Sequence, residues 1–328
     1  MFTVATINVA GLRGATITGK GPRTGHGLQE WFAQIRQSGV DVIAFQETKV
    51  NADQMLEPLK LLEINPDDFF LQEDQFRKGH AGVGLWINPE TITVSAIETP
   101  LESHPNSQKY SFSGRWLEAE LSNEVTVVSA YFHHAESPTS MSRDRVLIDR
   151  NKSEHSMNSK HFFMDASFAR IRELLKTRKH LIVMGDINIA HHDLDLKNFK
   201  GNKTKAGFLP EERAWLDLLL HESDLEQIKK TYSYNPDFDY HPPQVEQFDQ
   251  GFLDMHDVSR ELWGPQTSRY TWWTNMGHAF DNDAGWRIDY QFVDAALAQS
   301  VISSDVHKQT SFLTRFSDHA PLVNIYKI

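Results

Sequence analysis

The chain has 328 residues, of which 40% are hydrophobic and 23% charged, a globular composition long enough for one large domain or two ordinary ones. It has no cysteine, which excludes disulfides, thiolate catalysis and thiolate metal sites. A formal charge of −11 argues against nonspecific polyanion binding but leaves a focused site open, because net charge is not local charge.

No apolar run approaches the roughly 20 residues that a membrane-crossing helix needs, so no membrane partner is expected. A strand pattern begins at Phe2 with no leader-like segment before it, and the cytoplasm is the expected compartment. Residues 2–8 alternate apolar with small or polar side chains and run from Asn8 into Gly11 and Leu12, a strand and a turn. Residues 14–27, rich in Gly and Thr and containing Pro22, read as loop. Leu28, Phe32 and Ile35 share one face of a helix that closes at Gly39. Residues 40–49 then form a second buried strand that carries Glu47 near its end. Such a strand–helix–strand unit points Asn8 and Glu47 to one edge of the sheet.

Residues 82–87, 115–121 and 124–132 are strand-like, and the last two suit an antiparallel hairpin turning at Ser122 and Asn123. Residues 133–160 read as polar and irregular, with a dilute basic run of Arg143, Arg145, Arg150, Lys152 and Lys160. A helix is expected over 162–175, with Phe168, Ile171 and Leu175 at helical intervals. It feeds Leu181-Ile182-Val183-Met184, which runs straight into Gly185-Asp186-Ile187-Asn188 and ends at His191-His192. An unbroken apolar run of this length reads as a strand buried on both faces, delivering Asp186 and Asn188 to its carboxyl end. Their spacing of two puts both side chains on one side of an extended backbone. A carboxylate beside a neutral amide suits holding and activating water next to a phosphate, whereas the plainer alternative is a Gly-Asp turn with an Asx cap.

Residues 197–205 carry four lysines and no acid, and residues 210–220 begin with proline and early acids, as a helix start prefers. Residues 231–250 contain no Lys or Arg but Pro236, Pro242 and Pro243, and read as a long surface insertion. Residues 270–274 look extended, 286–293 alternate as a strand, and 317–323 form a turn entering the last strand. Strand–helix–strand units ending in acids occur in both halves. That suits two similar sheets packed face to face in a single domain over 1–328.

Asn8, Glu47, Asp186, Asn188, Asp289, Asp318 and His319 all fall at strand ends or in the turns beside them. Each alone has a bland explanation: a turn residue, a surface acid, a salt-bridge partner, an interior histidine. As an ordered set they are specific. The blocks 8–13, 46–49, 185–188, 286–290 and 317–321, together with Gly201-Asn202, Ala206-Gly207-Phe208 and Pro210-Glu211-Glu212-Arg213, resemble the exonuclease III/abasic-site endonuclease family. That family belongs to the endonuclease–exonuclease–phosphatase superfamily, and the similarity spans nearly the whole chain.

The resemblance implies a four-layer α/β sandwich with helices outside two mixed sheets. It implies Mg²⁺-dependent hydrolysis, with Mn²⁺ as a substitute, of the phosphodiester 5′ to an abasic site, leaving a 3′-hydroxyl. Exonuclease activity in the 3′-5′ direction and 3′-phosphatase activity would accompany it. Glu47 would hold the metal, with Asn8 and Asp318 nearby, since Mg²⁺ takes hard oxygen ligands. Asp186 would deprotonate the attacking water, steadied by Asn188, while Asp289 orients His319 toward a phosphoryl oxygen. Tyr131 would bond the phosphate. Trp272, Trp286 and Ile288 stand at the pocket positions for a flipped abasic sugar. Arg115, Lys200, Lys203 and Lys205 join them as DNA contacts. The expected partner is double-stranded DNA with abasic sites or 3′ ends, bound by a monomer.

Two departures stand out. Ala10 occupies a position where Asn or Asp is usual, and Tyr131-Phe132-His133-His134 replaces Tyr-x-Pro-Asn. Both histidines are expected to be solvated loop residues. Two other readings compete: a phosphatase or phosphodiesterase acting on inositol phosphates or phospholipid head groups, and a binding module without catalysis. The lysines of 197–205 and the tryptophans oppose the first. The second is opposed because no expected catalytic residue is absent.

Overall fold

Short runs rich in valine, isoleucine and phenylalanine form the strands, because branched and aromatic side chains pack well on a pleated surface. The computed structural model describes residues 1–17, 26–136, 146–222, 224, 226, 251–265 and 268–328. Its strands are β1 Phe2–Asn8, β2 Val42–Gln46, β3 Phe69–Gln72, β4 Val83–Ile87, β5 Val94–Glu98 and β6 Trp116–Leu121. They continue with β7 Val125–Tyr131, β8 His180–Asp186, β9 His256–Asp257, β10 Asp289–Val293, β11 Val301–Val306 and β12 Leu322–Tyr326.

These build two six-stranded sheets in the orders β11-β12-β1-β2-β4-β3 and β5-β6-β7-β8-β10-β9. Each sheet is mixed. The pairs β1–β2 and β7–β8 are parallel, and their neighbours run antiparallel. The sheets face one another through Val4, Ala44, Leu85, Leu117, Val127 and Met184. Helix His26–Gln37 covers the first sheet with Trp31, Phe32 and Ile35, joined by Leu59 of helix Ala52–Leu61. Helices Val146–Thr177 and Pro210–Leu220 cover the second through Phe163, Phe168, Ile171, Trp215 and Leu219. This is the expected four-layer sandwich, and burial of each such side chain contributes about 1.5–3 kcal/mol.

Polar links pin one sheet on the other. Gln46 Nε2 donates to Ser129 Oγ (3.1 Å), and Ser129 Oγ donates to Phe45 O (3.1 Å). Gln291 Nε2 donates to Val4 O and Leu322 O, each at 3.1 Å. Buried donors of this kind are costly to leave unpaired, so they fix the slide of the sheets and the alignment of their strand ends.

Several elements differ from the sequence reading. Part of the 133–160 segment belongs to the 32-residue helix Val146–Thr177, whose mixed polar sequence carries no clean apolar stripe. Residues Leu12–Thr16 form a short helix, not loop. Residues 270–274 form isolated bridges, Trp272 with Trp286 and with His319, not a regular strand. The β6–β7 hairpin forms as expected, with Glu124 (φ 66°) extending its turn by one residue. The proposed insertion at 231–250 lies outside the described residues, as do the side chains of Arg143, Arg145, Arg150 and Lys152. Among the described residues, no helix is long and apolar enough to cross a membrane.

Candidate active site

The strand register assembles the polar cluster. Asp289, first in β10, pairs with Asp186, last in β8, which also lies opposite Tyr131 at the end of β7. Asn8 ends β1 opposite Gln46, so Glu47 follows at the same edge of the facing sheet. Gly185 (φ 143°) permits this approach, since a Cβ there would meet Ala130 O at 1.9 Å.

Asp186 is 1% exposed, and its carboxylate accepts three hydrogen bonds. Oδ2 accepts from Asn8 Nδ2 (2.9 Å) and Asn188 Nδ2 (3.1 Å), and Oδ1 accepts from Asn188 N (2.9 Å). Asn188 is not extended. Its φ of 55° is left-handed, so the spacing-of-two argument fails and an Asx turn brings the two side chains together instead. The candidate water-holding pair and the capping turn are one structure. Lys160, unassigned in the sequence reading beyond a dilute basic run, holds this turn from behind. It is fully buried and donates to Asn188 O (2.8 Å) and Glu212 Oε1 (2.6 Å). Glu212 Oε2 in turn accepts from Gly207 N and Leu209 N.

Asn8 presents donors rather than an acceptor to the site. Its Oδ1 accepts from Ala10 N (2.9 Å), which fixes the amide orientation and leaves Nδ2 on Glu47 Oε1 and Asp186 Oδ2. Asn8 is therefore a bridge between carboxylates in this geometry, not an oxygen ligand. Tyr131 OH donates to Glu47 Oε1 (2.7 Å), and burial together with that carboxylate raises its pKa well above the usual value. Tyr131 thus stays protonated on Glu47.

His319 Nδ1 lies 2.9 Å from Asp289 Oδ2, and because a carboxylate only accepts, that nitrogen carries the proton. Nε2 faces Asp186 Oδ2 at 3.8 Å, beyond hydrogen-bond reach. Burial alone would depress the imidazole, but Asp289 and then Asp186 push it up to about 10. Burial, with the like charges of Asp289 and Glu47, pushes Asp186 up to about 8 against the pull of His319. Ser317 Oγ donates to Asn8 O (2.6 Å) and accepts from His319 N (3.2 Å), tying this turn to β1.

The carboxylates have the donor chemistry for a divalent metal. Burial opposes ionisation of Glu47, yet Lys49 and the bonds from Tyr131 and Asn8 bring its pKa down to about 2. The half-exposed Lys49 ammonium pairs with Glu47 Oε2, a stand-in for the cation this site favours. Asp318, on the same cleft, accepts from Trp272 Nε1 (3.2 Å). Glu47 and Asp318 offer the hard oxygens that Mg²⁺ takes.

These groups open into a cleft of about 520 Å³. Trp272, Trp286 and Ile288 form its apolar wall, with the two indoles edge to face at 6.3 Å. Arg287, between Trp286 and Ile288, points inward to Asp195 (Nε–Oδ1 2.7 Å) and Asp257 (2.6 Å), which anchors the wall. Of the three lysines, Lys205 lines the cleft, while Lys200 and Lys203 lie over the Phe199 ring at 5.9 and 5.7 Å. Arg115 is buried rather than on a DNA-facing surface. It bonds Ser111 O (2.9 Å) and Tyr131 O (3.3 Å) and covers the Tyr131 ring at 4.7 Å. His133 is also interior, edge-on to Phe163 and bonded to Ser111 O, whereas His134 is exposed on the cleft rim. Sequence separation hid the ion pairs of Lys160, Glu212 and Arg287, whose charged partners lie 30 to 92 residues away.

The endonuclease/exonuclease/phosphatase family model matches residues 5–319. DNA repair nuclease APEX1 of Danio rerio is 27% identical over 301 residues, covering 90% of this chain and 78% of that protein. An exodeoxyribonuclease of Bacillus subtilis is 26% identical over 304 residues, covering 91% of this chain and 93% of the other. The structure of an AP endonuclease from Archaeoglobus fulgidus has the same fold, with a TM-score of 0.67 at 17% identity over 100% of both chains. With its carboxylates, imidazole and amides gathered at the strand ends of two facing sheets, and the family match running through all of them, the chain belongs to the endonuclease/exonuclease/phosphatase family.

Proposed function

We propose that the protein is a Mg²⁺-dependent DNA repair nuclease that hydrolyses the phosphodiester 5′ to an abasic site and leaves a 3′-hydroxyl. Exonuclease activity in the 3′-5′ direction and 3′-phosphatase activity are expected beside it. One observation carries this reading: a tryptophan-walled cleft, apolar enough for a base-free sugar, opens beside the Asp186–His319–Asp289 cluster and takes in Lys205. The names of the relatives, a DNA repair nuclease and an exodeoxyribonuclease, support the same substrate class.

Asp186 accepts the proton of the attacking water, and its raised pKa is the poise a base working near neutral pH requires. Asn188, with its amide donors committed to Asp186 and Phe132 O, holds the base in one orientation. His319, protonated and backed by Asp289, donates from Nε2 to a phosphoryl oxygen. Glu47 and Asp318 would hold the metal, which when bound neutralises charge on the transferring group. Tyr131 and Asn8 keep Glu47 ionised and aimed.

A synthetic duplex with one abasic site, incubated with Mg²⁺ and again with EDTA, tests the reading. Cutting on the 5′ side of the lesion in the first tube and none in the second is expected. Intact duplex in both, alongside phosphate release from an inositol phosphate, would move the protein to another branch of its family.

A further inference from the structure

The loop after β8 carries two histidines that the proposed chemistry does not use. His191 is 1% exposed, and its Nε2 lies 2.7 Å from Asp217 Oδ1 on helix Pro210–Leu220. A carboxylate only accepts, so that contact holds a proton on Nε2, and Nδ1 is the nitrogen of the neutral ring that offers a lone pair. Nδ1 is buried without a hydrogen-bond partner, an arrangement that is unfavourable unless something else meets the lone pair. Its nearest acid oxygen, Glu222 Oε2, is 4.0 Å away, too far for a hydrogen bond. His192 Nε2 stands 3.1 Å from that same oxygen, and the two imidazoles lie 3.9 Å apart. One ligand atom from each of His191, His192 and Glu222 falls within 4.8 Å of the other two.

We propose that His191, His192 and Glu222 bind a borderline transition-metal ion of the Zn²⁺ class, at a site separate from the catalytic carboxylates. Two imidazoles and one carboxylate are a ligand set that Zn²⁺ takes, with water completing a four-coordinate shell, and one that Mg²⁺ does not favour. Asp217 supplies the carboxylate behind the ligating histidine, the arrangement that fixes ring orientation and strengthens the imidazole as a donor. His191 and His192 follow β8 and its Asp186–Asn188 turn, whereas Glu222 follows helix Pro210–Leu220. An ion between them cross-links the loop to the helix end. His192 also donates from its backbone N to Asp195 Oδ2 (2.9 Å), the acid that holds Arg287 behind the tryptophan wall. The bound ion would stiffen the support of the cleft without touching the reacting groups.

Equilibrium dialysis of the full chain against Zn²⁺, with excess Mg²⁺ present to occupy the catalytic carboxylates, tests this. His192→Ala and Glu222→Gln change partly exposed side chains, so both variants should fold and keep Mg²⁺-dependent turnover. The wild type is expected to hold one more equivalent of Zn²⁺ than either variant. In addition, Co²⁺ should give it a four-coordinate visible spectrum that Zn²⁺ abolishes and Mg²⁺ leaves intact. Equal zinc binding by wild type and variants, or a wild-type Co²⁺ spectrum that Mg²⁺ erases, would overturn the site.

Discussion

Asp186 Oδ2 receives amide protons from both Asn8 and Asn188, and this limits what can replace it. In Asp186→Asn the new amide must turn its oxygen either to those two donors or to Asn188 N, which leaves a donor facing a donor on the other side. Turnover should fall by roughly 10²–10⁴, the worth of a positioned base. Folding should weaken by about 1–3 kcal/mol through the unpaired group, while binding of abasic duplex persists. Single-turnover kinetics beside a binding isotherm separates the effects, and a variant keeping a tenth of wild-type kcat would remove Asp186 from the base role.

The pH profile belongs to the same residues. In the proposed mechanism Asp186 must lose its proton and His319 must keep its own. Accordingly, kcat/KM should rise as pH passes about 8 and decline past about 10, with bound Mg²⁺ drawing the lower limb down. In the folded state both groups hold protons more tightly than their ordinary values of 3.8 and 6.5. Their contribution to stability is complete below those values. It is lost as pH rises, through about 8 for Asp186 and about 10 for His319. Urea midpoints measured at about pH 6 and about pH 9 should therefore fall toward the alkaline side, less so in His319→Asn.

At the scale of elements, the Asp186–Asn188 turn depends on the long helix that packs behind it. Lys160 of helix Val146–Thr177 ties the left-handed Asn188 backbone to Glu212 at the start of helix Pro210–Leu220. Removing one partner of a buried pair strands the other, so Lys160→Ala should cost about 3–5 kcal/mol of folding free energy. Since Asn188 O is deprived of its donor at the same time, kcat should drop with little change in KM. Urea unfolding and steady-state kinetics on one preparation measure both effects. Unchanged kcat at lowered stability would restrict Lys160 to a structural role.

At the scale of the whole molecule, a charge of −11 repels DNA, and local cations must overcome it. Lys200, Lys203 and Lys205 follow strand β8 closely, and Lys205 reaches the cleft. Replacing all three with Ala should weaken abasic-duplex binding without changing single-turnover cleavage at saturation. The slope of log affinity against log salt should flatten by about 0.9 for each phosphate that the protein no longer neutralises. A triple variant with unchanged affinity and slope would leave these lysines as solvated surface.

What the sequence determined by itself was the pattern of burial and what stands at its edges. Apolar runs are local signals, so the strands ending at Asn8, near Glu47 and at Asp186 were legible, as were two strand–helix–strand units and hence two facing sheets. The acids and His319 were legible too, because strand ends are where an α/β sheet exposes its chemistry. What only the tertiary structure decided was partnership. Asn8 meets Asp186 across 178 residues, and that pairing, with Ala10 N on its oxygen, makes it a donor. Arg115 and His133 turn inward to carbonyls, and Tyr131 turns to Glu47, where the resemblance had implied DNA and phosphate contacts for Arg115 and Tyr131 and the loop had suggested solvent for His133. The left-handed backbone of Asn188 likewise rests on Lys160, a residue no local pattern distinguishes from a surface lysine. Hydrophobic periodicity records which face of an element is buried. A buried polar group must find its hydrogen-bond partner in three dimensions, and the packing of distant elements selects which partner that is.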